Sequence, residues 1–290
     1  MLFRSFNVVH GGPEVGAALA DHREVHLLSF TGSTATGKRL LVAAGQSNLK
    51  RMILECGGKA PDIVFDDSPD LEAVAQAVAR HAFGNQGEVC SASSRLLLQR
   101  GIAKELLQLL VRQASGWVPG DPLSEATRFG ALISQAHRLK VLSYIRSGEE
   151  AGARVAFRCS APAPHESGFY LGPVIFSHVA PSHRIAQEEI FGPVLSVMTF
   201  EGEDEAVRLA NDTIYGLTAN VWTTSLSRAH RLTYGIRAGA IAVNATAQPI
   251  GGPGEGVLTV GGHRDSGLGA EGGLQGLAAY TTETAVQLFV

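Results

Sequence analysis

Val25-His-Leu-Leu-Ser-Phe-Thr-Gly-Ser-Thr-Ala-Thr-Gly-Lys-Arg-Leu-Leu-Val-Ala-Ala44 is the stretch that decides the fold. Its apolar start predicts a strand over 25–30. Thr31-Gly32-Ser33-Thr34 reads as a tight turn, and 34–44 as a helix. Arg51-Met-Ile-Leu54 predicts the next strand, which completes a βαβ unit with parallel strands under the helix. Such a turn offers free backbone N–H groups at the positive end of the helix dipole, a ready site for phosphate. The hydroxyls of Ser33 and Thr34 add donors, while a helix cap with no ligand is the plain alternative. Gly32-Ser-Thr-Ala-Thr-Gly-Lys38 also fits the P-loop pattern G-x-x-x-x-G-K. Arg39, however, stands where a Ser or Thr must bind magnesium, which argues against an NTPase.

The alternation continues outward in both directions. A short apolar run at 6–9 and a helix at 13–21 come before the turn. After it, strands are expected at 62–65, 95–99, 154–157, 170–176, 194–200, 219–223 and 240–243, with helices at 70–83, 103–115 and 134–146. The fold class is therefore α/β. A doubly wound nucleotide domain needs a full set of βαβ units, yet the chain enters on a stub of strand. The expectation is a sequence that starts mid-domain and leaves a sheet edge unpaired.

With 290 residues and 45% of them hydrophobic, the chain is long enough for two domains or one large one. Charged residues make up 18% and the net charge is −3, a balance that points away from nucleic acid. The apolar stretches are short and interrupted, so no membrane span is expected, and Met1-Leu-Phe-Arg-Ser-Phe6 does not read as a signal peptide. Cys56, Cys90 and Cys159 stand far apart, which argues against a disulfide framework or a zinc site and for a reducing compartment, the cytoplasm. The histidines form no ligand spacing, so no metal is expected. Glycines crowd 251–273, which reads as a long mobile loop.

Two side chains carry chemical interest. Glu55 ends a strand and is followed by Cys56-Gly57-Gly58-Lys59-Ala60-Pro61; in parallel sheets ligands gather at that end, and paired glycines let a ligand approach the backbone. Cys90 follows Gly84-Asn-Gln-Gly-Glu-Val89 and precedes Ser91-Ala-Ser-Ser94. A reactive thiol needs partial exposure and nearby N–H donors, which such a loop can supply. Taken singly, a lone cysteine is more often a small buried hydrophobe, and a glutamate beside glycines a solvated loop residue.

Four motifs change that weighing: Phe30-Thr-Gly-Ser-Thr34, Leu54-Glu-Cys-Gly-Gly-Lys-Ala-Pro61, Phe83-Gly-Asn-Gln-Gly-Glu-Val-Cys90 and Glu188-Glu-Ile-Phe-Gly-Pro193. In this order and spacing the chain resembles the aldehyde dehydrogenase superfamily from about Asn7 onward. The resemblance implies an aldehyde dehydrogenase-like α/β fold: a partial Rossmann-type cofactor domain and an α/β catalytic domain. Residues 1–57 would be the C-terminal part of the NAD(P)-binding domain and 58–258 the catalytic thiol domain. Residues 259–290 would return to the cofactor domain and end in an oligomerisation strand at 285–290.

By the same resemblance Cys90 attacks the aldehyde carbon, the thiohemiacetal releases hydride to NAD or NADP, and Glu55 activates the water that hydrolyses the thioester. Splitting one oxidation into two easier steps is what a covalent nucleophile offers. The sulfur and the Glu55 carboxylate are expected to face one shared cavity. Gly32, Ser33 and Gly57 would approach the cofactor, Glu189 would hold the nicotinamide ribose, and Phe191 would pack near the ring. For Glu189 and Phe191 the plain alternative is an exposed acid and a core aromatic. Asn244 matches a position near the substrate pocket, although a turn asparagine is equally consistent.

The chain also departs from the family's pattern. Roughly the first two-fifths of a family chain is missing from the match, including an oxyanion-hole asparagine and the residue that distinguishes NAD from NADP. Thr259-Val260 replaces a more usual Pro-Phe pair, and 251–256 is a glycine-rich insertion. The expected partner is a small aldehyde, in a homo-oligomer when full length. The alternative is a catalytically incompetent piece that works only with the missing part or a partner.

Overall fold

Pro13 opens helix α1 (Pro13–Asp21), where its fixed φ and absent N–H suit a first turn. Strand β1 (Leu27–Thr31) leads into α2 (Thr34–Gln46), capped by Ser33, whose Oγ accepts the Thr36 N–H at 3.3 Å. Strand β2 (Arg51–Glu55) then lies parallel to β1 with Glu55 opposite Thr31. The computed structural model describes residues 5–165, 167–247 and 258–290, so the insertion at 251–256 lies outside the described residues.

From β2 the chain crosses into a second, larger sheet. Its strands are β3 (Pro61–Val64), β4 (Arg95–Gln99), β5 (Arg154–Arg158), β6 (Val174–Ser177), β7 (Val194–Phe200), β8 (Thr218–Trp222) and β9 (Ala240–Val243), in the order β5-β6-β7-β4-β3-β8-β9. All neighbours run parallel except β5 against β6. Alternate residues of a strand face opposite sides, and both sides here are covered. Ile63, Leu97 and Val221 face a core shared with Val141, Ile185, Leu209 and Leu232 from helices α5 (Gln135–Glu150), α6 (Arg184–Gln187), α7 (Glu203–Asn211) and α8 (Leu226–Gly235). Val64, Leu96 and Leu98 face a second core with Val78 of α3 (Leu71–Phe83) and Leu110 of α4 (Ala103–Ala114). Each such aliphatic side chain contributes about 1.5–3 kcal/mol relative to exposure. The chain then returns to the small sheet as β10 (Gly267–Leu268), antiparallel to β2 with Gly267 opposite Glu55, before the short α9 (Gly273–Ala278).

Arg95 locks the end of the large sheet. Wholly buried, it donates from Nε to the Lys59 carbonyl at 2.8 Å and from its two terminal nitrogens to Leu209 and Ala210 at 2.9 and 2.8 Å. Those last two carbonyls belong to the final turn of α7, where the helix dipole favours a cation.

Several expected elements differ from what forms. The run at 6–9 makes no strand, and Phe6, Val8 and Val9 lie exposed; among the described residues nothing pairs with the outer edge of β1. The strand expected over 170–176 begins only at Val174, because Pro173 has no N–H to give a ladder. Helix α8 was not expected: it buries only Ala229 and Leu232, too few positions to print a period on the sequence. The tail at 285–290 forms no strand and pairs with nothing among the described residues, and Val286, Leu288 and Phe289 lie exposed.

Candidate active site

The segment between the two sheets builds the site. Leu54 points toward α2, where it and the Cys56 sulfur crowd Gly37; a Cβ there would sit 2.8 Å from that sulfur. Glu55, next along β2, therefore points to the opposite face. On that face it is buried, its Oε1 has no hydrogen-bond partner among the described residues, and the Glu271 carboxylate is close enough to repel it. Burial first, and Glu271 second, push its carboxyl up to about 7, against a pull downward from the Gly262 N–H. Glu271 is fixed by the Ser29 hydroxyl at 3.1 Å. A carboxyl that titrates near neutrality is suited to general-base work.

The two glycines after Cys56 have separate tasks. A Cβ on Gly57 would lie 2.5 Å from Glu189 Oε2, and one on Gly58 would lie 2.2 Å from the Cys90 carbonyl oxygen. One admits a carboxylate side chain, the other the backbone of the nucleophile loop. Gly58 N–H donates to Glu189 Oε1 at 3.1 Å. Ser266, wholly buried, donates its hydroxyl to the Gly57 carbonyl at 2.7 Å and accepts the Gly216 N–H at 3.0 Å, so the C-terminal segment pins this turn.

Cys90 is delivered by α3, whose cap Asp70 accepts the N–H groups of Glu72 and Ala73 at 2.9 and 3.2 Å. After Phe83 the chain turns through Asn85, Gln86 and Gly87, with φ of 48°, 57° and 70°. The left-handed region costs a non-glycine residue about 1–2 kcal/mol. Asn85 offsets part of that by donating its side-chain amide to the Glu88 carbonyl at 3.0 Å. Gly87 is required twice over, because a Cβ there would also meet the Gly192 carbonyl oxygen at 2.4 Å. The thiol ends up half-buried. Burial pushes its pKa up, as do the charges of Glu189 and Glu55, while the N–H groups of Ser91 and of Cys90 itself pull it down. With the upward influences winning, the sulfur rests as a thiol.

A cavity of about 500 Å³ opens beside that sulfur. Of the residues expected from sequence, Gly32, Ser33, Gly57, Cys90, Glu189 and Phe191 all line it. Glu55 does not: it sits on the other face of β2, although its charge still bears on the thiol. The pair therefore does not share this cavity, whose lining on this segment is Cys56 and Gly57.

Glu88, His137 and Lys140 also line the cavity and went unread in the sequence. His137 bonds the Phe191 carbonyl through Nε2 at 2.5 Å, sets its ring at 73° to the Phe191 ring and stands 3.4 Å from Glu88. Phe191 has a φ of 58°, and this bond helps hold it there. Behind the wall Lys59 is wholly buried, its ammonium without a hydrogen-bond partner among the described residues, and burial together with Arg95 lowers its pKa to about 7. Its attraction to Glu189 opposes that shift, and burial also raises the Glu189 carboxyl.

A second cleft, of about 410 Å³, lies between α1, β1 and α2 and is walled by Pro13, Ala17, Leu28 and Leu40. Phe30 and Thr36 line this cleft, while Thr31, Gly32 and Ser33 line the thiol cavity, so one glycine turn borders both. Lys38, the lysine of the P-loop-like pattern, is engaged with Asp265 at 2.6 Å. Asn244 bonds the Thr223 backbone through both side-chain atoms at 2.8 and 3.0 Å, which is the turn role. Cys56 is buried as a small hydrophobe. Among the described residues no group of His, Cys, Asp and Glu side chains could hold a metal, and no helix is long and apolar enough to cross a membrane.

The profile of the aldehyde dehydrogenase family matches residues 4–286. The chain belongs to the aldehyde dehydrogenase family. Among relatives in the family, it is 46% identical over 276 residues to the NADP/NAD-dependent aldehyde dehydrogenase PuuC of Escherichia coli, a match covering 95% of this chain and 54% of that one. The crystal structure of the aldehyde dehydrogenase KauB from Pseudomonas aeruginosa superposes with a TM-score of 0.88 at 47% identity, over 92% of this chain and 53% of the other. An indole-3-acetaldehyde dehydrogenase solved with NAD+ also gives 0.88, at 46% identity over 92% and 53% of the two chains. The chain therefore spans about half the length of these family members. The partial Rossmann-type sheet and the larger α/β sheet are those of an aldehyde dehydrogenase fold.

Proposed function

We propose that this chain carries the thiol and the base for oxidation of an aldehyde to a carboxylic acid with NAD or NADP. The observation that carries this reading is that Cys90, the Ser33-capped start of α2 and the Glu189 carboxylate border one cavity. The residues fit a dinucleotide. The helix start suits a pyrophosphate, the apolar cleft at Pro13, Ala17 and Leu28 suits a flat base, and Gly57 keeps room for Glu189 to reach a ribose hydroxyl. When bound, the dinucleotide supplies the hydride acceptor. In this reading residues 1–57 and 259–290 serve the cofactor, and 58–258 serve the thiol.

The chain's own part begins with transfer of the Cys90 proton to water in the cavity, helped by the N–H groups of Cys90 and Ser91. The sulfur adds to the aldehyde carbon, and after oxidation the carbon is held as a thioester. Glu55, ionised above about pH 7, takes a proton from water; the hydroxide equivalent attacks the thioester and the sulfur leaves. For this, Glu55 must leave the Gly262 N–H and swing past Gly57 toward the cavity.

Timed iodoacetamide labelling with peptide mapping tests the reading: Cys90 is expected to be modified before Cys56 and Cys159 and to be protected by aldehyde. Equal, slow labelling of all three would refute it. A second reading, in which the chain turns over only when joined to further polypeptide, is favoured by the unpaired edge of β1 and the exposed Phe6, Val8 and Val9. It predicts protected labelling of Cys90 with no NADH formed by the chain alone.

A further inference from the structure

A cavity of about 530 Å³ lies on the outer side of α3 and α4 and shares no residue with the thiol cavity. Gln76 and Arg80 stand one turn apart on α3 and so project from the same face. Arg112 comes from the last turn of α4, and Arg128 from the segment that follows. Trp117 lines the cavity with them and is held at both edges, its ring centroid 6.3 Å from Phe83 and 6.5 Å from Phe129, each close to edge-on. Among the described residues no carboxylate lines the cavity itself. At its edge the Glu72 carboxylate accepts from Gln113 at 2.6 Å and from Arg112 at 3.4 Å, while among the described residues Arg80 and Arg128 form no ion pair. Three guanidinium groups around one hollow repel one another, an arrangement that composition does not force on a chain of net charge −3.

We propose that this cavity is a binding site for a small phosphorylated molecule, with the phosphate on Arg80, Arg112 and Arg128 and its carbon skeleton against Trp117. Guanidinium forks match phosphate oxygens in pairs, and three of them suit two or more negative charges rather than one. A fixed indole gives the remainder of the ligand an apolar wall without further ordering. A net charge of −3 favours a small ligand over a nucleic acid.

Calorimetric titration of this chain with inorganic pyrophosphate, alongside Trp117 fluorescence, tests the proposal. The expected result is saturable binding at a site distinct from the Ser33-capped start of α2, one that a Ser33→Ala variant keeps. Arg80→Ala, Arg112→Ala and Arg128→Ala should each weaken it about tenfold or more. All three side chains are exposed, so the variants are expected to keep their circular dichroism. Trp117→Phe should remove the fluorescence change while heat of binding remains. The proposal is overturned if pyrophosphate gives no more than sodium chloride at equal ionic strength. It is equally overturned if citrate binds as tightly as pyrophosphate, or if the arginine variants bind like the parent chain.

Discussion

Replacing Glu55 by Gln should stabilise the fold in alkali and leave it unchanged in acid. The Glu55 carboxyl is raised from its ordinary value near 4.5 to about 7, because the folded chain buries it beside Glu271. Below about pH 4 the group is protonated in folded and unfolded chains alike and contributes no difference. As pH rises, the unfolded chain ionises it first, in water, while the folded chain keeps the proton. The folded state therefore loses stability from about pH 4.5 until the folded carboxyl also ionises near 7, after which the loss is constant. That interval corresponds to about 3 kcal/mol at most. Water reaches part of the side chain, which brings the expected figure nearer about 2 kcal/mol. Glutamine keeps the shape and removes the ionisation. Urea unfolding of both proteins at about pH 4, 6, 7 and 8.5 reads the effect as a difference in midpoint that grows with pH and then levels. A difference that is flat across the series, or one that favours the parent at pH 8.5, would refute the account of Glu55 as a destabilised buried acid.

Other substitutions probe the same seam. Glu189→Gln removes a charge that raises the Cys90 thiol, so iodoacetamide should modify Cys90 about three- to tenfold faster near pH 7.5, with the pH profile moved to lower pH. Gly58→Ala puts a methyl group into the Cys90 backbone and should cost about 2–4 kcal/mol in urea unfolding, whereas Gly57→Ala meets only the movable end of Glu189 and should cost less than about 1 kcal/mol. Arg95→Met strands the carbonyls of Lys59, Leu209 and Ala210 and should cost about 3–5 kcal/mol, again read from the denaturation midpoint.

What the sequence disclosed depended on how local each signal was. The strand, glycine turn and helix around Ser33 are written in consecutive residues, and so are the Gly57-Gly58 pair and the loop before Cys90. Their places in the structure follow from backbone needs that only those residues meet. Glu88 lay in plain view two positions before Cys90, yet nothing in a loop acid distinguishes a cavity wall from a solvated side chain. His137 and Lys140 were harder, because α5 reads as an ordinary amphipathic helix and only its packing turns that face toward Phe191. Glu271 and Ser266 reach the site from the far end of the chain, a relation carried by the pairing of β10 with β2 and by no nearby pattern. The runs at 6–9 and 285–290 have the composition of strands, yet among the described residues neither gains a ladder.

The free flank of β1 has a bearing on how the polypeptide behaves at the bench. Its unclaimed amides and carbonyls form a template that any extended segment can dock against, and a second molecule with the same flank is the most abundant such segment in a pure preparation. Dilution is then a better safeguard than cooling, since association rises with the square of concentration while chilling weakens the apolar packing that keeps the rest folded. A lysine at an outward position such as Ser29 would sever the Glu271 contact, so charge meant to protect this flank belongs at Leu27, one pleat away.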